Sequence, residues 1–266
     1  MAQFDASVLK QPRWILAIVV GVVLALSFIR LGIWQLDRLD ERRASNAVIE
    51  DRRSGVERPI EGLIGQYGLE PTDLIDRAAV VEGTYRTDLE FFSVGRTYGD
   101  LSGTLVATPL ELADGSLLVV VRGIVPPDTA GPPAEGFAPP SGLVVVRGIV
   151  EDGEEPPRIT EPEPADGVLS SISRLDLEFI DAWIDGDVLP VSMTLVSQEP
   201  ANADGTPVPV PAAELTEGSH LGYAVQWFAF ALIVVVGVGY LIWRAGSADA
   251  PAAVTSGSEP DRDPVA

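Results

Sequence analysis

Two long apolar runs, one near each end, dominate the pattern of hydrophobic and polar positions in this 266-residue chain. Residues 14–34 contain a single charge, Arg30, which is close enough to one end to reach lipid headgroups. Residues 221–243 contain no charge. A helix of roughly 20 apolar residues crosses the hydrocarbon core of a bilayer. The pattern therefore predicts transmembrane helices at residues 13–36 and 220–244.

A cleaved secretory signal is the alternative interpretation of the first run. Lys10 and Arg13 precede it, and residues 25–27 (Ala-Leu-Ser) resemble a cleavage site. The apolar run continues past that site, however, and ends at Trp34, an aromatic residue of the kind found at membrane interfaces. The transmembrane interpretation is therefore favoured.

Residues 37–219 have the pattern of a water-facing domain, in which short β-branched runs alternate with turns containing Gly, Pro or Asp. They predict strands at residues 80–85, 89–96, 104–112, 117–125, 143–150 and 188–197, and a helix at 174–184. The predicted fold class is an α+β membrane protein. Two transmembrane helices flank a mostly β extramembrane domain, a small barrel or an open sandwich, with one or two short helices.

The heptapeptide VVVRGIV occurs twice, at residues 119–125 and 144–150. Two identical β-branched runs suit neighbouring strands of one sheet. Each run carries its arginine, Arg122 or Arg147, after three valines. We expect both arginines to lie on the surface near strand ends rather than to act as binding groups.

Composition excludes several functions. The formal charge of −21 opposes binding to a phosphate backbone, so no nucleic-acid partner is expected. The chain has no cysteine and one histidine, His220, which excludes disulfides, thiolate catalysis and metal sites built from cysteine or a histidine pair. No nucleophile, base and acid can be assembled around one membrane-edge histidine, so we expect no enzymatic activity. Residues 1–12 form a short tail, and residues 245–266 have a composition typical of disorder.

The histidine opens the second predicted span. On a helix, His220, Tyr223 and Trp227 share one face. A ring of imidazole, phenol and indole at the membrane edge could hold a flat aromatic ligand, and neutral imidazole is the commonest axial ligand of haem iron. Simple anchoring in the membrane interface, where Tyr and Trp are common, is the alternative.

Three further polar residues lie at the membrane boundaries. Gln35 and Gln226 could each form a hydrogen bond across a helix pair, which we favour over contact with a ligand. Arg38 follows the first span and most simply meets the headgroups where that helix leaves the membrane.

These boundary segments resemble the surfeit-locus cytochrome oxidase assembly family. The residues that match its N-terminal signature are Gly32, Trp34, Gln35 and Arg38. Those that match its C-terminal signature are His220, Tyr223, Ala224, Gln226, Trp227 and Phe228. In between, the family's order is followed by Gly83, Arg96, Gly103, Thr108-Pro109-Leu110, Asp114-Gly115 and Arg122-Gly123.

The resemblance implies a protein of the cell membrane with both termini cytoplasmic and the central domain on the outer face. It implies assembly of aa3-type cytochrome c oxidase, in which the chain holds or hands over haem a during maturation of oxidase subunit I, with that subunit and haem a synthase as partners. His220 would contact the haem iron, Tyr223 and Trp227 would pack on the porphyrin, and Arg38 would meet a propionate.

Two other functions remain compatible with the sequence. The chain could be a membrane scaffold for oxidase assembly that binds no haem. It could also be a membrane-anchored module whose outer domain binds another ligand, although the short tails leave no room for a cytoplasmic output domain.

Overall fold

The computed structural model describes residues 4–98, 101–154, 170–184, 186–202 and 205–248, without the side chains of residues 95–98, 101, 102 and 248. It consists of two compact units, of which one combines Met1–Ala44 with Thr216–Ala266 and the other is Ser45–Leu215. Within the described ranges, two helices are long and apolar enough to cross a membrane, Pro12–Ser54 and His220–Ser247.

In sequence, the two longest helices come near the two ends of the described chain, and all the strands come between them. The α-helices are α1 (Pro12–Ser54), α2 (Ile60–Tyr67), α3 (Pro71–Leu74), α4 (Leu177–Ile184) and α5 (His220–Ala248). The strands are β1 (Arg58–Pro59), β2 (Ala78–Tyr85), β3 (Phe91–Tyr98), β4 (Leu101–Glu111), β5 (Leu117–Val125), β6 (Leu143–Asp152), β7 (Ser171–Ile172) and β8 (Val188–Glu199). Short 3₁₀ helices span Ala6–Lys10 and Thr87–Leu89.

All six predicted strands are confirmed, and β5 has the predicted ends. The predicted helix at 174–184 is α4, which begins later, at Leu177. Residues 245–248, assigned from the sequence to a disordered tail, instead form the last turn of α5 because the helical hydrogen bonds continue past Arg244. The rest of that tail lies outside the described residues. The sequence missed α2, α3 and the two-residue strands β1 and β7.

In the helical unit, α1 and α5 approach closely at small residues. Gly32 of α1 faces the ring of Phe228 on α5, and a Cβ atom at Gly32 would lie 2.7 Å from Cε1 of that ring. Further along the same helix pair, a Cβ atom at Gly21 would lie 3.0 Å from the side chain of Val238. Small residues let membrane helices pack closely and so gain dispersion energy in the absence of a hydrophobic driving force.

The other unit contains a five-stranded barrel. Its strands follow the order β2–β6–β8–β5–β4, and β4 closes the ring by pairing with β2 at Thr84–Glu111 and Tyr85–Leu110. Four of the five pairings are antiparallel, and β5–β8 is parallel. The small barrel, rather than the open sandwich, is therefore the correct prediction. Beyond the ring, β3 pairs with β4, β7 with β3 and β1 with β2.

Apolar residues from all five strands fill the barrel, and α2 and α3 add Ile60, Leu63 and Leu74 to the same cluster. A second cluster lies on the outer face of β4 and β5, where α4 and β3 cover the sheet. Since both faces of β5 are covered, every residue of that strand is buried. In β6 burial alternates instead, as expected when one face of a strand meets solvent.

Two predictions about the VVVRGIV copies are wrong. They form β5 and β6, but β8 lies between these strands, so the copies are not neighbours. Arg122 is not a surface residue: it is 1 % exposed and is the largest fully buried side chain of the described residues. Arg147 does lie at the surface, with its Nε 3.2 Å from Glu57.

Arg122 is held at one end of the barrel by an ion pair with Glu90, whose Oε2 accepts a hydrogen bond from Nη1 at 3.0 Å. Thr108 donates to the same oxygen at 2.6 Å, and the backbone N–H of Ala134 donates to the other at 2.6 Å. A second guanidinium nitrogen donates to the carbonyl of Phe137. A buried ion pair persists only when such additional hydrogen bonds satisfy it.

Tyr85 completes this polar end. Its ring lies 5.6 Å from the Arg122 guanidinium carbon, and its hydroxyl donates to Gln198 at 3.0 Å. Burial raises the pKa of Tyr85 well above its ordinary value, and burial lowers the pKa of Arg122. Both directions follow from the cost of a charge in a dry interior.

Candidate functional site

His220 is the first residue of α5, and its imidazole contacts α1. Its Nδ1 lies 2.9 Å from Oε1 of Gln35. The prediction that Gln35 forms a hydrogen bond across the helix pair is therefore confirmed. The backbone N–H of Tyr223 donates to the carbonyl of Ser219, so the helix begins at the turn that carries His220.

This contact sets the tautomer of the imidazole. Because an amide oxygen can only accept a hydrogen bond, the neutral imidazole of His220 carries its proton on Nδ1 and donates it to Gln35. The lone pair then resides on Nε2, which has no hydrogen-bond partner among the described residues. A hydrogen bond of this kind to the far nitrogen is the usual way in which proteins orient a metal-binding histidine.

An ion pair holds the segment that precedes α5 against α1. Arg43 of α1 donates from Nε and Nη2 to the two oxygens of Glu217, at 2.8 and 2.9 Å. Glu217 lies three positions before His220, and hydrogen bonding to Arg43 holds the pKa of Glu217 below its ordinary value. A two-pronged pair restricts orientation as well as distance. Neither residue was singled out from the sequence.

An aromatic cluster lies between α1 and α5, about two to three helical turns after His220 along α5. Trp227 stacks on Phe28 of α1 with ring centroids 5.7 Å apart, and Phe230 lies 5.8 Å from each of them. Tyr223, expected on the same face as Trp227, is 50 % exposed. The sequence interpretation missed Phe28, although it precedes Gln35 by two helical turns and therefore shares its face.

The remaining motif residues separate into two kinds. Gly32 and Phe228 pack against each other at the crossing of the helices. Arg38 lies over the ring of the exposed Trp34, at 5.8 Å, and pairs with Glu41 at 2.6 Å rather than with His220. Gln226 is exposed and forms no hydrogen bond across the helix pair within the described ranges.

The one imidazole of this chain could supply a single axial ligand to a haem iron, but not a complete metal site. In the part of the chain that the structure describes, no three His, Cys, Asp or Glu side chains are grouped to hold a metal ion. One oriented imidazole nitrogen can nevertheless ligate an iron whose other ligands come from a porphyrin. Aromatic side chains beside it give a flat apolar ring surfaces on which to stack.

Comparison with known proteins decides the family. The sequence matches the SURF1 family over residues 22–232, which includes both boundary motifs. The chain belongs to the SURF1 family. Members of this family are known as cytochrome oxidase assembly factors rather than enzymes. The resemblance inferred from the motifs is thus confirmed.

Related proteins of the SURF1 family occur in mycobacteria. The chain is 24 % identical over 238 residues to SURF1-like proteins of Mycobacterium bovis and of two strains of Mycobacterium tuberculosis. The alignment covers 88 % of this chain and 85 % of each relative.

Several SURF1 motif residues outside the helices have structural roles. Arg122 and Thr108 both bind Glu90 at the polar end of the barrel. A Cβ atom at Gly83 would lie 2.7 Å from Leu110, and one at Gly103 would lie 2.6 Å from the carbonyl of Val125. These positions therefore serve the folding of the barrel, whereas His220 and Gln35 are the motif residues available for chemistry.

Proposed function

We propose that this SURF1-family chain serves the assembly of aa3-type cytochrome c oxidase by holding haem a for subunit I, with Nε2 of His220 as an axial iron ligand. The observation that carries the proposal is the 2.9 Å hydrogen bond from His220 to Gln35. It leaves Nε2 with the lone pair and fixes the direction of the ring.

Each neighbouring residue has a defined role in this proposal. Gln35 orients the imidazole, as hydrogen bonds to metal-bound histidines generally do. The exposed Tyr223 is available for the porphyrin, while Phe28 and Phe230 hold Trp227 at the edge of the site. Arg38 could exchange its exposed partner Glu41 for a haem propionate, since surface ion pairs contribute little. The bound haem would supply the iron and the apolar macrocycle.

The proposal includes a location. His220 would lie at the outer edge of the cell membrane, with both termini cytoplasmic and the β domain outside, where it meets subunit I and receives haem a from haem a synthase. Lys10 and Arg13 before the first span support this orientation through the positive-inside rule.

Single cysteines at Lys10, Thr84 and Thr255 of this cysteine-free chain test this orientation. A membrane-impermeant thiol reagent applied to whole cells should label Thr84→Cys alone, and labelling of the other two positions instead would reverse the orientation.

The haem role is tested by substitution of His220 and its partner. Each variant is co-expressed with haem a synthesis, purified, and scored for bound haem a by its absorbance. We expect His220→Ala to lose or shift the haem spectrum. Gln35→Leu should keep a spectrum but weaken binding by about ten-fold or more, because the ring loses its orienting acceptor. Gln226→Leu, an exposed glutamine on α5, is the matched control and should resemble the wild type.

The same variants separate the proposal from a scaffold that binds no haem. In a deletion strain, His220→Ala should restore less aa3-type oxidase than the wild type. Full oxidase maturation together with an unchanged haem spectrum in His220→Ala would reject the ligand role and leave the scaffold.

A further inference from the structure

A second pocket lies on the Ser45–Leu215 unit, on the outer face of the sheet beside α4. It encloses about 150 Å³ between the strands and the segment 210–213. Its lining includes the apolar side chains of Leu105 and Val121 and two serines, Ser93 of β3 and Ser192 of β8. Each serine is only 1 % exposed. The pocket is therefore apolar along its sides with hydroxyl groups in its depth.

Ser93 is not satisfied by the protein around it. Its Oγ is buried and has no hydrogen-bond partner among the described residues. The Oγ of Ser192 makes only a long contact, 3.4 Å, with the carbonyl of Glu151. Buried hydroxyls normally find a partner, because one that is removed from water without compensation costs free energy. A ligand that brings an N–H donor into the pocket would supply the missing partner.

The rim of this pocket is acidic. Glu151, Asp152 and Glu154 line it, and no lysine or arginine is among its lining residues in the described part of the chain. The nearby Arg53 donates to the carbonyl of Ala213, another lining residue, but is itself paired with Asp76 at 2.7 Å. A cationic group entering the pocket would therefore meet acidic lining side chains, one of which, Glu151, is also within reach of the charge of Arg53.

The pocket continues into a groove along α4. This groove encloses about 360 Å³ and shares Asp152 and Glu154 with the pocket. It adds three carboxylates, Asp176, Glu178 and Asp181, and apolar contacts with side chains such as Leu177 and Val188. Again no basic residue lines it within the described ranges. An extended surface of this kind suits a peptide segment better than a small free cation, which would fill the pocket alone.

We propose that the pocket binds a lysine or arginine side chain from a basic segment of a partner protein, with the adjoining residues of that segment in the α4 groove. The aliphatic stem would lie against Leu105 and Val121, and the cationic head would donate to Ser93 and to the rim carboxylates. Lysine and arginine side chains commonly bind in this way, with the aliphatic stem against apolar groups and the charged head among polar groups. Complementary charge would also accelerate the encounter.

The test uses the full-length protein in nanodiscs and a fluorescein-labelled peptide of arginine, leucine, glycine and serine. An identical peptide with citrulline in place of arginine keeps the shape and removes the charge. Fluorescence anisotropy should show the arginine peptide binding at least about ten-fold more tightly than the citrulline peptide. Ser93→Ala, which removes one oxygen and leaves the packing intact, should weaken binding of the arginine peptide by about ten-fold.

Charge-matched variants show whether the site is specific. The combination Glu151→Gln, Asp152→Asn and Glu154→Gln should weaken binding by about ten-fold or more. The combination Glu61→Gln, Glu70→Gln and Glu82→Gln removes the same charge from exposed positions outside the pocket and should change it little. Equal losses in both combinations, or no effect of Ser93→Ala, would reject the pocket as a specific site.

Spermidine distinguishes the two sources of such a cation. Weak competition by spermidine supports a protein segment as the ligand. Competition as effective as that of the unlabelled peptide, abolished by Ser93→Ala, would identify a free polyamine and overturn the partner-protein proposal. None of these outcomes bears on haem binding, because His220 and Gln35 are unchanged throughout.

Discussion

The two VVVRGIV copies have the same sequence and opposite surroundings. In β5 every residue is buried, because β4 and β8 flank the strand and both of its faces are covered. In β6 buried residues alternate with half-buried ones, and the residues at its two ends are exposed. The leucine that precedes each copy shows the extreme difference, since Leu118 is 0 % and Leu143 is 67 % exposed. A β-branched run thus specifies a strand, but the position of that strand in the sheet decides what each side chain contacts.

The two arginines show the same difference in electrostatic terms. Arg122 is buried and donates to Glu90 and to the loop carbonyl of Phe137, while Thr108 donates to the same carboxylate of Glu90. Arg147 is 34 % exposed at the side chain and faces the half-exposed Glu57. Water can replace the partner of the second arginine but not that of the first. Identical substitutions in the two copies should therefore have very different costs.

The largest expected effect is that of Arg122→Met. It leaves the buried carboxylate of Glu90 without its cation, which should lower the free energy of unfolding by about 3–5 kcal/mol. Arg147→Met removes only a surface pair and should cost less than about 1 kcal/mol. Urea unfolding of the full-length protein in detergent measures both, followed by tryptophan fluorescence, to which Trp183 is the one contributor between residues 45 and 215.

A second substitution tests whether the unpaired carboxylate of Glu90 causes the loss of stability. Adding Glu90→Leu to Arg122→Met removes the stranded charge, so the double variant should be more stable than Arg122→Met alone. Similar losses for Arg122→Met and Arg147→Met would show that burial of the first arginine is not what distinguishes the copies.

The next largest effect comes from the loss of apolar packing at the leucine that precedes each copy. Leu118→Ala should cost about 2–5 kcal/mol, because it opens a cavity in the packed barrel. Leu143→Ala should change the free energy of unfolding by no more than about 0.5 kcal/mol, because that side chain is mostly in water already. The same urea experiment compares them. A loss at Leu143 as large as that at Leu118 would contradict the assignment of β6 to a half-exposed position.

Among the substitutions of buried side chains, the smallest effect at neutral pH is that of Tyr85→Phe, which removes the hydroxyl that binds Gln198 beside the buried arginine. It should cost about 1 kcal/mol at pH 7. Because burial raises the pKa of Tyr85, the folded protein keeps this proton at pH values where the unfolded chain loses it. The contribution of Tyr85 is thus fully present below the ordinary tyrosine pKa of about 10 and is lost as the pH rises above it.

Urea unfolding at a series of alkaline pH values checks this sign. Above pH 10 the wild type should lose up to about 1.4 kcal/mol more per pH unit than Tyr85→Phe, so the two curves should converge and then cross. Curves that remain parallel above pH 10 would show that Tyr85 ionises as freely in the folded barrel as in the unfolded chain.

Local pattern was enough to place the six longer strands, because β-branched runs and the turns between them are neighbours in sequence. It failed for α2 and α3, whose residues show little periodicity. Those helices form because Ile60, Leu63 and Leu74 pack into the barrel cluster, a contact that depends on all the strands being in place. Strand order was likewise beyond local pattern, since nothing within the copies records that β8 lies between them.

The candidate site was more accessible to sequence reasoning than the buried pair. His220 begins an apolar run, and Gln35 follows the other, so a contact between the two long apolar helices brings them together. Burial of Arg122 depends on Glu90 and on the loop at 134–137, which are distant in sequence and carry no motif of their own. For the same reason the acidic pocket, lined from several strands and two loops, gave no sequence signal.

The place of β8 in the barrel has a consequence for protein synthesis. β5 and β6 leave the ribosome before β8 exists, and each then has one edge without a hydrogen-bonding partner. Two identical runs with open edges, in which arginine is the only charge, are suited to pairing with each other or with a second nascent chain. Insertion of Val188–Glu199 protects both edges at once, parallel to one copy and antiparallel to the other. The interval before this strand is made is therefore when the chain is most exposed to aggregation.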